Sequence, residues 1–263
     1  MSVHYDHSRN SHTLEGPAAA LPFIFPEGAP RSVLDVGCGT GTWLRAIQDR
    51  GQAEVFGIDG VNIPAEKLLF DPKCFRHCDL TSPINLERKF DVVICLEVAE
   101  HLEATFAPVL IQTLTRHADM VVFSAACPNQ PGEHHVNCQW PEYWQGLFNR
   151  EGFACDDSIR WKIWSRKNIE PWYRQNLFVA RRSPAVNEAR ILSVMHPEMF
   201  NTHLNYLVET IESYVREEQI RDRDRGLLSF GWHVSNIFSG WFGDRKRFAK
   251  RKEERIRRWG SKV

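Results

Sequence analysis

Three glycines at alternate positions, flanked in the sequence by two acids, are the strongest chemical signal in the chain. The segment Asp35-Val-Gly-Cys-Gly-Thr-Gly41 follows a short apolar run and precedes a stretch with helical spacing. Glycines let the backbone approach a ligand closely, and the free N–H groups of a helix N-terminus favour polar groups. Asp59 ends the next apolar run, where a carboxylate can accept both hydroxyls of a ribose. The pattern predicts a nucleotide-type site, which also takes in Gly37, Cys38, Gly39 and Gly60.

A second polar segment, from Pro128 to Trp144, combines histidines with aromatic residues. Its prolines and glycine predict a loop, and histidine is the side chain best suited to proton exchange near neutral pH. His135 is the first candidate for a general base and His134 is the second. Candidate substrate contacts in or near this segment are His101, Asn137, Trp140 and Tyr143. The alternative interpretation is that His135 only anchors the loop and that Trp144 packs in the core. For the Glu100-His101 pair, a role in shaping its own loop is favoured over catalysis.

Strand-like and helix-like segments alternate between Ser32 and Arg182, and this order predicts an α/β fold. Because several of the runs are apolar throughout, the sheet should be mostly parallel with helices on both faces. Ligands of such sheets bind at the carboxyl ends of the strands, so one cleft can hold the glycine loop, Asp59, Asp79 and Glu97. Strands are predicted at 32–36, 55–59, 74–79, 90–96 and 120–124, helices at 42–50 and about 104–117, and a closing antiparallel pair at 160–164 and 176–180.

The residues from Val33 to Gly41 resemble the first motif of class I S-adenosylmethionine-dependent methyltransferases, which have an acid before the glycines. A dinucleotide dehydrogenase usually has Gly-x-Gly-x-x-Gly and no acid at the position of Asp35. The resemblance covers about residues 30–180 and implies a Rossmann-like, doubly wound fold that binds S-adenosyl-L-methionine and releases S-adenosyl-L-homocysteine. It implies that Asp35 and the 37–41 backbone face the methionine portion and that Asp59 binds the ribose. The remaining implied cofactor contacts are Asp79 and Leu80 at the adenine position, and Leu96 and Glu97 near the sulfonium.

The histidine loop is similar to the Gly-x-x-His-x-Asn…Tyr-Trp stretch of methyltransferases associated with sugars, surface glycans and natural products. This similarity implies O-methylation of a hydroxyl of a sugar, a glycan or a related small metabolite, assisted by His135. Two alternatives stay open: a protein or RNA methyltransferase guided by the basic tail, and a non-catalytic cofactor-binding partner protein. A nucleic-acid amino-methyltransferase would show Asn/Asp-Pro-Pro-aromatic after the fourth strand, where this chain reads Leu96-Glu-Val-Ala99. Nucleic acid is therefore an unfavoured partner.

Composition limits the remaining function classes. The 263 residues include 33 Lys and Arg and 33 Asp and Glu, so the global charge gives no argument for nucleic acid or acidic substrates. The seven cysteines are odd in number and scattered, which is typical of a reducing compartment and favours a cytoplasmic protein. We expect no metal, because the adjacent residues Glu133, His134 and His135 rarely point at one ion.

The C-terminal part is predicted to be a helical extension of the methyltransferase domain. The expected division is an N-terminal arm over 1–31 with one helix, the domain over 32–182, and the extension over 183–263. A long helix is predicted over 197–225, followed by an apolar stripe and a basic run. The segment 227–258 can lie on the inner face of an anionic membrane, pack on its own domain, or contact a second subunit of a homo-oligomer. An RNA-binding tail is the least favoured of these interpretations.

Overall fold

The computed structural model describes residues 13–183 and 188–221. The helices within these residues are α1 (Glu15–Ile24), α2 (Thr42–Gln48), α3 (Ala107–His117), α4 (Pro141–Arg150), α5 (Ser158–Ile163), α6 (Pro171–Asn176) and α7 (Pro197–Arg221). The strands are β1 (Ser32–Val36), β2 (Glu54–Asp59), β3 (Phe75–His77), β4 (Val92–Leu96), β5 (Met120–Ser124), β6 (Phe153–Asp156) and β7 (Phe178–Arg182). The order of elements predicted up to β5 is confirmed, with boundaries that differ by a few residues.

The strands form one sheet in the order β3-β2-β1-β4-β5-β7-β6. Strands β1 to β5 are parallel, whereas β7 runs antiparallel to β5 and β6 runs antiparallel to β7. From β1 the chain builds outward to β3 on one side and then returns to place β4 on the other side. This reversal of strand order opens a crevice at the carboxyl ends of β1 and β4. The predicted doubly wound, mostly parallel fold is confirmed, and the crevice locates the site.

Both faces of this sheet are buried. In β4, Val92, Ile94 and Leu96 pack in one apolar cluster with α1 and α2. The alternate residues Val93 and Cys95 pack in a second cluster with α3 and α4. A strand covered on both sides has no polar face, which explains why β4 is apolar throughout.

The segment 160–164 is not a strand, and this prediction from sequence was wrong. It lies largely in α5, and the antiparallel partner of β7 is β6. The backbone N–H and the hydroxyl of Ser158 both donate to the Asp156 carboxylate at 2.8 Å, and this turn starts the helix. Ile159 and Ile163 lie one helical turn apart and both are buried. The large aromatic residues between and after them resemble strand composition, although Trp161 is exposed.

The C-terminal region divides within α7. Residues up to Phe200 belong to the compact unit of the sheet, and a second unit begins at Asn201. Glu188 accepts hydrogen bonds from the side chains of Gln145 and Asn149, which ties the segment after β7 to α4. The predicted apolar stripe and the segment 227–258 lie outside the described residues, so the interpretations of membrane or subunit contact stay predictions. No helix in the part of the chain that the structure describes is long and apolar enough to span a bilayer.

His117, at the end of α3, predicts a pH dependence of stability. The buried ring accepts the Leu86 N–H at Nε2 (2.9 Å), so in the neutral ring Nδ1 carries the proton and donates to the Thr113 carbonyl oxygen at 2.7 Å. Burial lowers the pKa of His117. On acidification the unfolded chain, with a histidine pKa of about 6.5, therefore takes up the proton before the folded protein does. We expect the free energy of unfolding to fall by about 1 kcal/mol between about pH 7.5 and pH 5.5 because of this group.

Urea unfolding of the protein and of His117→Gln at both pH values measures this effect. The glutamine variant does not titrate, so its loss on acidification should be smaller by about that amount. Equal losses in the two proteins would show that His117 does not contribute.

Candidate functional site

The glycine loop that follows β1 has three residues in the left-handed backbone region. Gly37, Gly39 and Gly41 have φ values of 81°, 52° and 85°, a conformation that is strained for residues with a Cβ. The N–H groups of Gly37 and Cys38 donate to the Ile58 carbonyl oxygen at 2.7 and 3.1 Å, which ties the loop to the end of β2. Gly41 is the N-cap of α2. The predicted unit of strand, glycine loop and helix is confirmed.

Asp59 holds this loop in shape. Its Oδ2 accepts the Gly39 N–H at 2.8 Å, and its Oδ1 accepts the Val61 N–H at 2.7 Å. Each carboxylate oxygen has a further lone pair, so Asp59 can accept ribose hydroxyls while it keeps these bonds. Positioning the glycine loop is a second role for this residue, which spacing in the sequence did not indicate.

Asp35 brings another buried carboxylate to the same edge of the sheet. The residue is 4% exposed and lies opposite Gly57 of β2 and Ile94 of β4. Burial, with a further contribution from the charge of Asp59, raises the pKa of Asp35 well above its usual range. Among residues 13–183 and 188–221, no group donates a hydrogen bond to this carboxylate. A buried acceptor of this kind is stabilised by a cationic donor from a ligand, and the ammonium of an amino-acid group fits it.

The other residues predicted to meet the nucleotide present different groups. The side chain of Cys38 packs in the apolar core, so a ligand in the loop would meet its backbone. The Asp79 carboxylate accepts the N–H and the hydroxyl of Thr81 at 2.9 and 2.6 Å, which lowers its pKa and caps its own turn. Leu80 is 6% exposed and lies next to Gly60. At this corner Leu80 therefore offers an apolar side chain to a ligand, whereas the Asp79 carboxylate is bound within its own turn.

A network of buried polar side chains follows β4. Glu97 has a φ of 56°, and its carboxylate accepts hydrogen bonds from Gln130 Nε2 at 2.7 Å and Asn176 Nδ2 at 3.2 Å. Asn176 also donates to Gln130 Oε1 at 2.9 Å. Leu96, the other residue predicted here, is mostly buried at the end of the strand. Because Gln130 follows β5 and Asn176 ends α6, this network joins three separate segments.

Glu100, His101 and His135 form a second group, the carboxylate–histidine cluster. Glu100 is 0% exposed, and its carboxylate faces the Glu97 side chain, its own backbone N–H and that of Ala126. Its Oε1 lies 3.9 Å from Nε2 of His135. The His135 Nδ1 lies 3.0 Å from the Gln130 carbonyl oxygen, which can only accept, so in the neutral ring Nδ1 is protonated and Nε2 offers a lone pair. The rings of His101 and His135 meet edge to face, with their centroids 5.0 Å apart.

Burial sets the protonation of this cluster. Burial, and then the charge of Glu97, raises the pKa of Glu100 well above its usual range. Burial, together with the neighbouring His135, lowers the pKa of His101 to about 4, so this ring is neutral near pH 7. A neutral imidazole beside a buried carboxyl group is typical of sites that handle protons or cations.

The glycine loop and the carboxylate–histidine cluster lie side by side. Strands β1 and β4 are paired, and Val98 stands between Glu97 and Glu100 in the loop that follows β4. A Cβ added to Gly37 would lie 2.3 Å from Val98 Cγ2, so the two loops are in direct contact. The structure therefore brings both predicted groups to one crevice.

The predicted residues of the histidine loop are placed differently from one another. His134 is exposed and has a φ of 55°, whereas the His135 side chain is only 9% exposed. Asn137 is buried, and its backbone N–H donates to the Glu100 carbonyl oxygen at 3.0 Å. Of the two candidate bases, His135 is therefore the one that joins the buried cluster.

The aromatic residues of this segment divide between core and surface. Trp144 is 1% exposed and packs against Phe123 with ring centroids 5.3 Å apart, so it is a core residue. Tyr143 packs edge to face on Trp144 with ring centroids 4.9 Å apart and is half-buried. Trp140 immediately precedes α4 and is also half-buried. Trp140 and Tyr143 thus keep some surface for a ligand.

Sequence reasoning missed Gln130 and Asn176, and for Glu100 it favoured a role in shaping its loop over catalysis. Gln130 carried a weak signal because it lies in the polar loop that was already considered. Glu100 carried one because it is an acid three positions after Glu97. Asn176 carried none, because its approach to Glu97 depends on where α6 lies relative to the sheet.

Gly132 provides a test of how tightly the His135 ring must be held. A Cβ at this position would lie 2.2 Å from both Cε1 and Nε2 of His135. We expect Gly132→Ala to displace the imidazole and to reduce any activity that depends on it by about 10- to 100-fold. Stability should change less than activity, because Gly132 is exposed and the atoms nearest the new methyl group belong to one side chain. Turnover and the thermal unfolding midpoint measure the two effects.

Gly146→Ala is the matched control, because a Cβ at this helical position meets nothing within 4 Å. It should keep activity and add about 1 kcal/mol of helix stability. Equal activity in the two alanine variants would show that the ring position is not critical.

A family model described as a methyltransferase domain matches residues 5–173 of the chain. No curated protein matches the sequence. Among solved structures, the chain is similar to magnesium protoporphyrin IX methyltransferase from Synechocystis PCC 6803 with bound S-adenosylhomocysteine, at 21% identity and a TM-score of 0.47, covering 65% of this chain and 82% of that one.

Two further structures are similar to the chain at lower identity. An amino pentose methyltransferase from Micromonospora echinaspora with bound S-adenosylmethionine is 17% identical, with 66% and 93% of the two chains covered and a TM-score of 0.47. A sugar N-methyltransferase from Streptoalloteichus sp ATCC 53650 is 17% identical, with 70% and 97% covered and a TM-score of 0.48. Family membership rests on the domain match, and what each of these structures binds or methylates belongs to that protein.

Proposed function

Because the chain belongs to the class I S-adenosylmethionine-dependent methyltransferase family, we propose that it methylates a hydroxyl group of a sugar, a glycan or a related small metabolite. The observation that carries the proposal is the His135 imidazole, whose Nε2 faces the buried Glu100 beside the glycine loop. A hydroxyl acceptor needs a group that takes its proton, and this imidazole supports that role.

The residues that would hold the cofactor lie at the ends of β1 and β2. The Asp35 carboxylate would bind the ammonium of the methionine portion, and the backbone of the glycine loop would face the same portion. Asp59 would accept the ribose hydroxyls, and Leu80 would flank the adenine. When bound, S-adenosylmethionine supplies a methyl group on a sulfonium, and its in-line transfer to oxygen returns the S–C electron pair to sulfur.

His135 would take the proton as the oxygen–carbon bond forms. The Gln130 carbonyl oxygen holds Nδ1 in its protonated form, which leaves the Nε2 lone pair as the acceptor. The imidazolium that results would lie beside Glu100, whose Oε1 is 3.9 Å away, and its positive charge would favour the ionised form of that carboxyl group. Gln130 is itself fixed through its side chain by Glu97 and Asn176.

The acceptor class is supported by the half-buried aromatic surfaces at the start of α4. Trp140 and Tyr143 follow the histidine loop directly and present flat faces that suit the apolar face of a sugar ring. Asn137, which is buried against the backbone of Glu100, adds a polar side chain near the cluster.

Transfer of labelled methyl from S-adenosylmethionine by the full-length protein tests this function. Candidate acceptors are monosaccharides, oligosaccharides and small phenols, each paired with the analogue that lacks the hydroxyl. The expected product is a methyl ether whose mass increases by one methylene, with no product from the deoxy analogue. Methyl incorporation only into protein, RNA or amines would contradict the proposal.

A further inference from the structure

The carboxylate–histidine cluster presents the donor atoms of a metal site. One ligand atom from each of Glu100, His101 and His135 lies within 4.8 Å of the other two. Two imidazoles and one carboxylate are the donor set of catalytic zinc and iron sites that keep coordination positions open. From this geometry we propose that these three residues bind one divalent first-row transition-metal ion.

Glu100 provides an independent reason for a cation at this place. Its carboxylate is completely buried, and it faces the side chain of Glu97 together with the backbone N–H groups of Glu100 and Ala126. Two carboxylates that face each other in a buried site are strongly disfavoured unless a proton or a cation neutralises one of them. Its Oε1 faces Nε2 of His135 at 3.9 Å, and in the neutral ring both of these atoms are acceptors. An ion between them would be coordinated by both atoms.

The other ring nitrogen of His135, Nδ1, is held as it is in known metal sites. His135 donates its Nδ1 proton to the Gln130 carbonyl oxygen, the type of outer hydrogen bond that fixes a ligating imidazole. The Gln130 side chain is in turn bound by Glu97 and Asn176. Gly132 leaves the room that the ring needs, since a Cβ there would collide with it.

The donor atoms must close around the ion. Metal–ligand bonds of about 2.0–2.2 Å in tetrahedral geometry place donor atoms about 3.4 Å apart. The separations of up to 4.8 Å would therefore shrink by at most about 1.4 Å, and the Glu100–His135 separation of 3.9 Å would shrink by about 0.5 Å. The ligands come from the loops after β4 and β5, and therefore not from the adjacent residues Glu133, His134 and His135 that the sequence brought into consideration.

The role of the ion rests on the proposed function, whereas the binding site does not. An ion with open positions would bind the acceptor hydroxyl and lower its pKa, so that the proton passes to water before the oxygen takes the methyl group. In that case His135 acts as a ligand, and the ion replaces the imidazole as the group that activates the hydroxyl.

Titration of the chelator-treated, full-length protein with Co²⁺ tests the site without cofactor or acceptor. The visible absorption of Co²⁺ reports nitrogen and oxygen ligands, and calorimetry gives the stoichiometry. We expect one ion per chain, and at least about 10-fold weaker binding in Glu100→Gln and in His101→Asn. His134→Ala removes the exposed neighbouring histidine and should leave Co²⁺ binding unchanged. Circular dichroism confirms that each variant is folded, and the two ligand variants provide independent tests.

Co²⁺ binding that is equal in the protein and in both ligand variants would overturn the site. The absence of Co²⁺ binding, with methyl transfer that survives the chelator, would overturn the ion while the proposed function stands. Co²⁺ binding that the ligand variants lose, with no hydroxyl acceptor methylated, would support the ion site and count against the proposed function.

Discussion

Replacing Asp59 by alanine should reduce the affinity for S-adenosylmethionine by at least about 100-fold. The carboxylate accepts the Gly39 N–H at 2.8 Å and the Val61 N–H at 2.7 Å, and it is predicted to bind the ribose. Leaving the buried Gly39 N–H without a partner costs about 1–3 kcal/mol, the part-buried Val61 N–H adds to this cost, and about 1.4 kcal/mol corresponds to a factor of ten. Calorimetric titration with S-adenosylmethionine and with S-adenosylhomocysteine measures the loss.

Two variants show whether this loss is specific. Asp59→Asn keeps one acceptor oxygen and the shape of the side chain, so it should lose less affinity than alanine. Glu66→Ala removes an exposed acid downstream of β2 and should bind both ligands as the unmodified protein does. An Asp59→Ala protein that is folded and binds with unchanged affinity would remove the assignment of this crevice to the cofactor.

Replacing His135 by alanine should reduce methyl transfer by about 10²- to 10⁴-fold, the usual contribution of a general base. The affinity for S-adenosylmethionine should be unchanged, because the ring contacts the Gln130 carbonyl oxygen and faces Glu100, not the glycine loop. The measurement is kcat for the hydroxyl acceptor, together with calorimetric cofactor binding. The reduction is expected whether the ring takes a proton or binds an ion, and the Co²⁺ titration separates these two roles.

His117→Gln and His134→Ala are the comparison variants for His135→Ala. His117 lies at the opposite end of β5, in contact with Thr113 and Leu86, and its replacement should leave kcat unchanged. His134 was the second candidate base, and its exposed position predicts a smaller effect than that of His135. A larger loss in His134→Ala than in His135→Ala would exchange their roles, and no loss in either would exclude both as the base.

Much of the cofactor side could be predicted because its signals are local. The run from Ser32 to Val36, the glycines and the spacing of α2 are neighbours in the chain, and backbone geometry alone favours glycine at the positive φ values of this loop. Asp59 could be found because consecutive parallel strands end at the same edge of a sheet. The failed prediction at 160–164 was also local: bulky aromatic residues resembled a strand, whereas the chain forms a helix that begins after the turn at Asp156.

The amino-acid sequence by itself therefore determined the doubly wound sheet, the glycine loop and the two acids beside it, because hydrophobic periodicity and glycine spacing act over a few residues. Only the tertiary structure decided which groups surround His135. Glu97 and Asn176 are 79 residues apart in the chain, and no spacing rule connects them. Their meeting with Gln130, and that of Glu100 with His135, follows from loops that converge on one crevice, where burial removes water and makes each unpaired carboxylate require a partner.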